Sequence, residues 1–413
     1  MKAPVSALLS TLLAAVLLMA GCSSPETNAP EAVDAPSGEA SARVPNLQAG
    51  PDGGVWLSWV EENADSAGDG QAHLRYARWE ENSWGASQTV ASGNDWIVNW
   101  ADIPSVTGVN GALLAAHWLR EIPSPGFTYE VRMSLRGNGD WDDPFTLHDD
   151  STATEHGFVS LLPRQDGSML ALWLDGRRTA DRGPDSYFDL GQAMTLRSAE
   201  VDGDGVRNRR LVDPAICDCC NTALAAVPGG AVAAWRDRTE DEIRDISVAR
   251  YRDGAWSEPV SVHQDGWNIS ACPVNGPALA SSDSTVLLAW YTEAGGTPRV
   301  KASRSDDGGM SFGEPVTVDL GAPLGRVDAA ISGDRLYVSW MEGSSGEEAA
   351  FMVREVFAGD DRPGTAQEVA AMSPSRGSGF PKMANADGQL LFAWTDLQGE
   401  RPKIRTAVMK NLP

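Results

Sequence analysis

The chain reads as an all-β protein, a propeller of four-stranded antiparallel blades, and three observations predict it. An apolar run closes on a tryptophan seven times, at Trp59, Trp118, Trp173, Trp235, Trp290, Trp340 and Trp394. Successive copies lie 59, 55, 62, 55, 50 and 54 residues apart, the period of a propeller or array rather than of independent domains. Each copy also carries the same flanks: a short strand and a glycine turn upstream, then a polar loop, an alternating strand, a Gly/Asp turn and a last short strand. Four strand signals per period make one blade.

The units run at 44–92, 101–148, 156–213, 214–264, 268–320, 325–370 and 377–410. In the fourth, Ala231–Trp235 is the apolar run, Ile246–Tyr251 the alternating strand and Pro259–Val262 the last strand. The seventh ends on Ile404–Val408 with no fourth strand, so ring closure requires one from the other terminus, with Ala40–Val44 as the expected donor. Six blades plus an irregular cap is the alternative, because the first unit carries a long loop at Asn63–Gly70.

Ahead of the repeat, Lys2 is followed by an apolar stretch from Val5 to Met19 and then Leu18-Met19-Ala20-Gly21-Cys22. About fifteen apolar residues are short for a membrane span and fit an export signal. The ending has the form of a lipobox, which makes residues 1–21 a lipoprotein signal peptide and Cys22 the expected site of lipid attachment. Residues 22–42 are rich in Pro, Ala, Ser and Glu, too poor in apolar bulk to order themselves, and read as a disordered tether to a propeller at 43–413. The expected location is extracytoplasmic, with the membrane as partner through the anchor.

Net charge is −24, which argues against nucleic acid or an anionic surface as partner. Only five residues are lysine (2, 301, 382, 403 and 410), so nearly all positive charge is arginine.

One motif carries a family resemblance. Ser305-Asp306-Asp307-Gly308-Gly309-Met310-Ser311-Phe312 is similar to the Asp-box, with Ser305, Asp307, Gly309 and Phe312 at its defining positions. Weaker echoes stand at Arg252–Trp256, Gly137–Trp141 and Glu81–Trp84. The chain therefore resembles the sialidase-like (BNR/Asp-box) propellers, a resemblance that covers 44–410 as a repeat. It implies glycan chemistry at a central mouth and a structural hairpin on the far face. The family's Arg-Ile-Pro element has Asp102-Ile103-Pro104 as its nearest segment here, with aspartate where the carboxylate-binding arginine belongs. Neither the acid/base aspartate nor the Tyr–Glu pair can be placed, so no catalytic residue is assigned, and a glycoside hydrolase here would lack the standard arginine triad.

Loops after each tryptophan strand and loops between blades open on one face. There, Cys217-Asp218-Cys219-Cys220 leads into blade 4 and Cys272-Pro273-Val274-Asn275-Gly276-Pro277 into blade 5. This is an unusual cysteine signature on adjacent loops, so all four sulfurs are expected in one neighbourhood. Two readings stay open. In an exported protein an even cysteine count points to disulfides, one joining the triplet to Cys272 and one within Cys217–Cys220. Alternatively, thiolates at Cys217, Cys219, Cys220 and Cys272 hold Cu or Zn, with His148, His156 or His263 completing the site. His117, inside a strand, reads as a core residue.

The same face collects Arg120, Asp175, Arg177, Arg236, Asp237 and Arg326, an arrangement suited to an anionic ligand. The expected function is binding, or hydrolysis, of a glycan or another anionic small ligand at the cysteine-bearing face. The alternative is a non-enzymatic copper-handling or redox/assembly lipoprotein that uses the cysteine cluster.

Overall fold

The structure, a computed structural model, describes residues 1, 29–38, 40–50, 53–63, 70–109, 112–124, 126–137, 139–164, 166–183, 189–344, 348–357, 362–410 and 412. Residues 2–28, on which the expected signal peptide and Cys22 fall, lie outside the described residues. Seven antiparallel sheets follow one another along the chain as seven blades. In each, the tryptophan strand is second from the axis: Val55–Asn63, Ala112–Glu121, Met169–Asp175, Gly230–Arg236, Thr285–Thr292, Arg335–Gly343 and Gln389–Asp396.

The ring closes as required but with a different strand. Glu31–Val33 pairs antiparallel with the last strand, Glu31 opposite Val408 and Val33 opposite Thr406, and Thr406 Oγ1 donates to the Val33 carbonyl at 2.8 Å. Ala40–Val44 does not serve, because Ser41–Ala49 is the innermost strand of blade 1 and buries Ala42, Val44 and Leu47. The tether reading of 22–42 is corrected accordingly: the fold reaches back to residue 31. An outermost strand with one face in solvent needs little apolar surface, so three residues of it look like linker.

Five of the repeated tryptophans are essentially sealed from solvent: Trp59, Trp173, Trp235, Trp290 and Trp340. Each indole N–H then needs an acceptor, and each finds a carboxylate. Trp59 donates to Glu61 at 2.9 Å, Trp173 to Asp175 at 3.0 Å and Trp340 to Glu342 at 2.5 Å, all two residues downstream. Trp235 uses Asp213 at 3.0 Å and Trp290 uses Asp265 at 2.7 Å, both from the strand or loop that precedes the blade.

Near the mouth the inner strands bend. Val44, Phe158 and Arg326 take left-handed φ of 52°, 53° and 53°, a conformation costly for such side chains. A side chain of the preceding blade accepts the amide each time: Thr395 from Val44 at 3.2 Å, Asp102 from Phe158 at 2.7 Å and Asn275 from Arg326 at 2.8 Å. The bend is thus stitched across the blade boundary.

The hairpin at 305–312 lies between the outer strands of blade 5, on the face away from the mouth. Asp307 Oδ1 accepts the amides of Met310 and Ser311, each at 2.9 Å, and Ser305 Oγ accepts that of Gly309 at 2.9 Å. Gly309, at φ +78°, abuts Val232 of blade 4, so the hairpin wedges two blades together. Phe312 packs beneath it.

Candidate functional site at the propeller mouth

The described side chains at the mouth separate into a central channel, a cysteine ridge, an ion-pair network and an aromatic groove. The channel takes residues from every blade: Asn46, Asp102, Ser160, Asn221, Pro277, Asp328 and Lys382 line its upper part, a space of about 170 Å³.

Asp102 occupies the position where the resemblance called for arginine, and its geometry explains the departure. Its side chain is fully buried. One oxygen caps Phe158 N and the other accepts from Tyr129 Oη at 3.1 Å. Gly157 lets it approach, since a Cβ there would stand 1.8 Å from Asp102 Oδ2. Burial pushes the carboxyl up to about 7, against the lowering by those two donors. Glu155, half-buried at the mouth, is also raised to about 7, by burial and then by Asp218, with Arg182 and His156 opposing.

The cysteines gather as expected. Cys217 bonds Cys220, and Cys219 bonds Cys272 with Cα atoms 6.1 Å apart, so the second bridge ties the loops of blades 4 and 5. With both bridges closed, these sulfurs are not thiolates, and the Cu or Zn reading requires opening them. Gly276 lies so close that a Cβ would meet Asn221 backbone at 1.9 Å, and Asn221 Nδ2 reaches the Ala101 carbonyl at 2.8 Å. The histidines do not join the sulfurs. His148 and His156 stack at 3.7 Å between ring centroids and share Asp150 Oδ1, at 2.9 and 3.1 Å. His263 pairs with Asp265 at 2.9 Å. His117 is in the core as read, fully buried beside Ser105 Oγ at 3.0 Å, and burial pulls it down to about 3, hence neutral.

The six residues offered for an anionic ligand do not form one site. Arg236 is 1% exposed and donates to the carbonyls of Asn275 (2.8 Å), Tyr291 (2.6 Å) and Arg244. Arg326 is likewise buried, against Ser378 Oγ at 2.8 Å and the Gly379 carbonyl at 2.9 Å. Asp237 accepts from Ser247 Oγ at 2.9 Å and from the Arg238 amide at 2.7 Å. Asp175 is fully buried between Trp173 and Arg177. Each of these four is engaged by donors or carbonyls of the fold itself. Arg177 extends outward to Asp149 at 2.8 Å. Arg120 pairs with Glu130 at the rim of a pocket of about 410 Å³ that also holds Asp95, Glu121, His148 and Asp150. That rim is predominantly acidic.

Asp218, inside the Cys217–Cys220 loop, pairs with Arg182 at 2.6 Å and Arg238 at 3.5 Å. Glu242 in turn bridges Arg238 at 2.8 Å and Arg244 at 2.5 Å. The charged segment after Trp235 thus clamps the cysteine loop.

The aromatic groove was not anticipated. Trp96, Trp100 and Phe127, with Arg43, Asn99 and Gly377, line a space of about 560 Å³. Trp96 and Trp100 come from the loop between blades 1 and 2, and Phe127 from the loop after the tryptophan strand of blade 2. Trp96 is held by stacking on Trp118, at 5.3 Å between centroids, and Trp100 by Phe380 at 5.8 Å and the Arg326 guanidinium at 5.3 Å. Phe127 is 55% exposed. The available signal was that these tryptophans break the repeat: neither falls at the blade period.

No protein-family model and no curated protein matches the sequence. Solved structures do resemble it in fold. A protein of unknown function from Dyadobacter fermentans is 13% identical over 92% of this chain and 97% of that one, with a TM-score of 0.49. An α-L-arabinanase from Penicillium chrysogenum is 11% identical over 92% and 98%, TM-score 0.47. A Hadza microbial sialidase is 15% identical over 73% of this chain and 63% of that one, TM-score 0.44.

Proposed function

We propose that this protein is a glycan-binding propeller whose ligand lies in the groove of Trp96, Trp100 and Phe127, on the same face as the cysteine loops. The observation that carries the reading is the groove. Three partly exposed aromatic rings, none at a repeated blade position, are flanked by Arg43 and Asn99; Trp96 and Trp100 are fixed by stacking, and Phe127 meets Tyr129 edge-on. Sugars present apolar C–H faces rimmed by hydroxyls, and rigid rings with a few polar neighbours match that surface at low entropic cost. The reading is of binding rather than turnover. Of the two mouth carboxyls poised near neutrality, Asp102 is sealed from solvent and engaged on both oxygens, which leaves Glu155 without an assigned partner for acid/base work.

Screening purified protein on an oligosaccharide array tests this, with titration of the best ligand. Phe127→Ala and Trp100→Ala should each weaken binding about 10- to 100-fold, or roughly 1.4–2.8 kcal/mol. Phe127 is exposed, so its variant should keep the parent's melting temperature. Unchanged affinity in both variants would sink the groove.

The cellular setting is part of the proposal. Lipid attachment at Cys22 would hold the propeller outside the cytoplasm on a membrane surface. Cys22→Ser expressed in a bacterial host should move the protein from the membrane fraction to the soluble one; retention in the membrane fraction would refute the anchor.

A further inference from the structure

The two disulfides differ in accessibility in a way that suggests chemistry. Cys217 and Cys220 are 1% and 2% exposed, Cys219 is half-buried and Cys272 is exposed. Cys219 stands between the pairs: it bonds Cys272, yet its sulfur lies within 4.8 Å of those of both Cys217 and Cys220. The loop that carries the triplet is pinned by Asp218 to Arg182 and Arg238, and by the Cys217 amide to the Arg236 carbonyl at 3.0 Å. Opening either bridge therefore leaves the three sulfurs together.

We propose that the four cysteines form a thiol–disulfide relay, in which an external dithiol acts on the exposed bridge and the electrons pass through Cys219 to the buried one. Exchange proceeds by thiolate attack on a disulfide sulfur, one S–S bond forming as one breaks. The external thiolate attacks Cys272 Sγ, giving a mixed disulfide and releasing Cys219 as thiolate. The dithiol's second sulfur then attacks the mixed bond and frees Cys272, leaving the external dithiol oxidised and the protein reduced by two electrons. Cys219 next attacks Cys217 Sγ, forming Cys217–Cys219 and expelling Cys220 as thiolate. Attack at Cys220 would instead close a strained ring between adjacent residues. Finally Cys272 attacks Cys219, restoring Cys219–Cys272 and freeing Cys217. The net change is reduction of Cys217–Cys220 by the external dithiol, with every electron accounted for. This chemistry is independent of the glycan groove.

Dithiothreitol is the probe, with free thiols trapped by alkylation at timed intervals and linkages mapped by peptide mass spectrometry. In the parent the buried pair should open after the exposed one. In Cys219→Ser the Cys217–Cys220 bond should be at least about tenfold slower to reduce, because the thiolate that attacks it in the relay is gone. Equal rates in parent and variant would overturn the relay. Cys272→Ser gives a second reading without reductant: Cys219 is then a free thiol beside the buried bond, and a Cys217–Cys219 linkage should accumulate. Cys219 found wholly as free thiol, with Cys217–Cys220 intact, would equally overturn it. Glutathione, a monothiol, should form its first adduct on Cys272; a first adduct on Cys217 or Cys220 contradicts the order.

Discussion

Arg236→Ala should lower the unfolding free energy by about 3–5 kcal/mol, measured by chemical denaturation, whether or not a ligand is present. The guanidinium serves three backbone carbonyls, those of Arg244, Asn275 and Tyr291, and lies 4.7 Å from the centre of the Trp267 ring. Truncation leaves these acceptors buried with no donor, at roughly 1–3 kcal/mol each before any relaxation. It also removes a contact that joins blade 4 to blade 5. Lysine cannot replace a planar fork that spans three acceptors, so Arg236→Lys should recover little. Arg120→Ala is the contrast. Arg120 is 41% exposed in its pair with Glu130, and such pairs contribute less than about 1 kcal/mol. A stable Arg236→Ala protein that had lost only affinity would return Arg236 to ligand binding.

Asp102→Asn should make the protein more stable above neutral pH and flatten its pH dependence. A carboxyl raised to about 7 in the folded chain binds a proton more tightly there than in the unfolded chain. Its contribution is therefore fully present below about pH 4 and is lost as pH rises through 7. At about 1.4 kcal/mol per unit over about three units, the loss approaches 4 kcal/mol. Asparagine keeps both contacts, accepting from Phe158 N and donating to Tyr129 Oη, and never ionises. Glu155, near 7, and Asp213, raised by burial to about 6, add slopes of the same sign that the variant retains. Melting curves from pH 4 to 8 decide the matter: a slope identical in parent and variant would mean that Asp102 is not the buried acid described.

The blade count and the meeting of the cysteines were legible because both follow from order along the chain. A tryptophan that recurs at a fixed period must occupy equivalent places, and loops leading into adjacent blades must be neighbours. What sequence order does not carry is the direction of a side chain within a loop. Arg236 directly follows a plug tryptophan and looks like a residue of the mouth, yet its donors turn inward to the Arg244 carbonyl of its own blade and to two, of Asn275 and Tyr291, that blade 5 supplies. Asp175 did carry a signal. An acidic residue stands two positions after Trp59, Trp173, Trp235, Trp340 and Trp394, and those after Trp59, Trp173 and Trp340 accept the indole N–H; Trp235 turns to Asp213 instead. The closing strand at Glu31–Val33 had no such mark, since three outer residues show no alternation. Trp96 and Trp100 were hidden by the opposite effect, since against a background of plug tryptophans two irregular ones do not stand out by composition.

The central claim, a glycan seated in the aromatic groove, is tested most directly by the amide hydrogen-exchange footprint of the array-selected oligosaccharide. Binding should slow exchange in the segments at 94–101, 122–129 and 376–380, and leave the hairpin at 305–312 on the opposite face unchanged. Protection confined to that far face, or none in the three mouth segments at saturating oligosaccharide, would contradict the account.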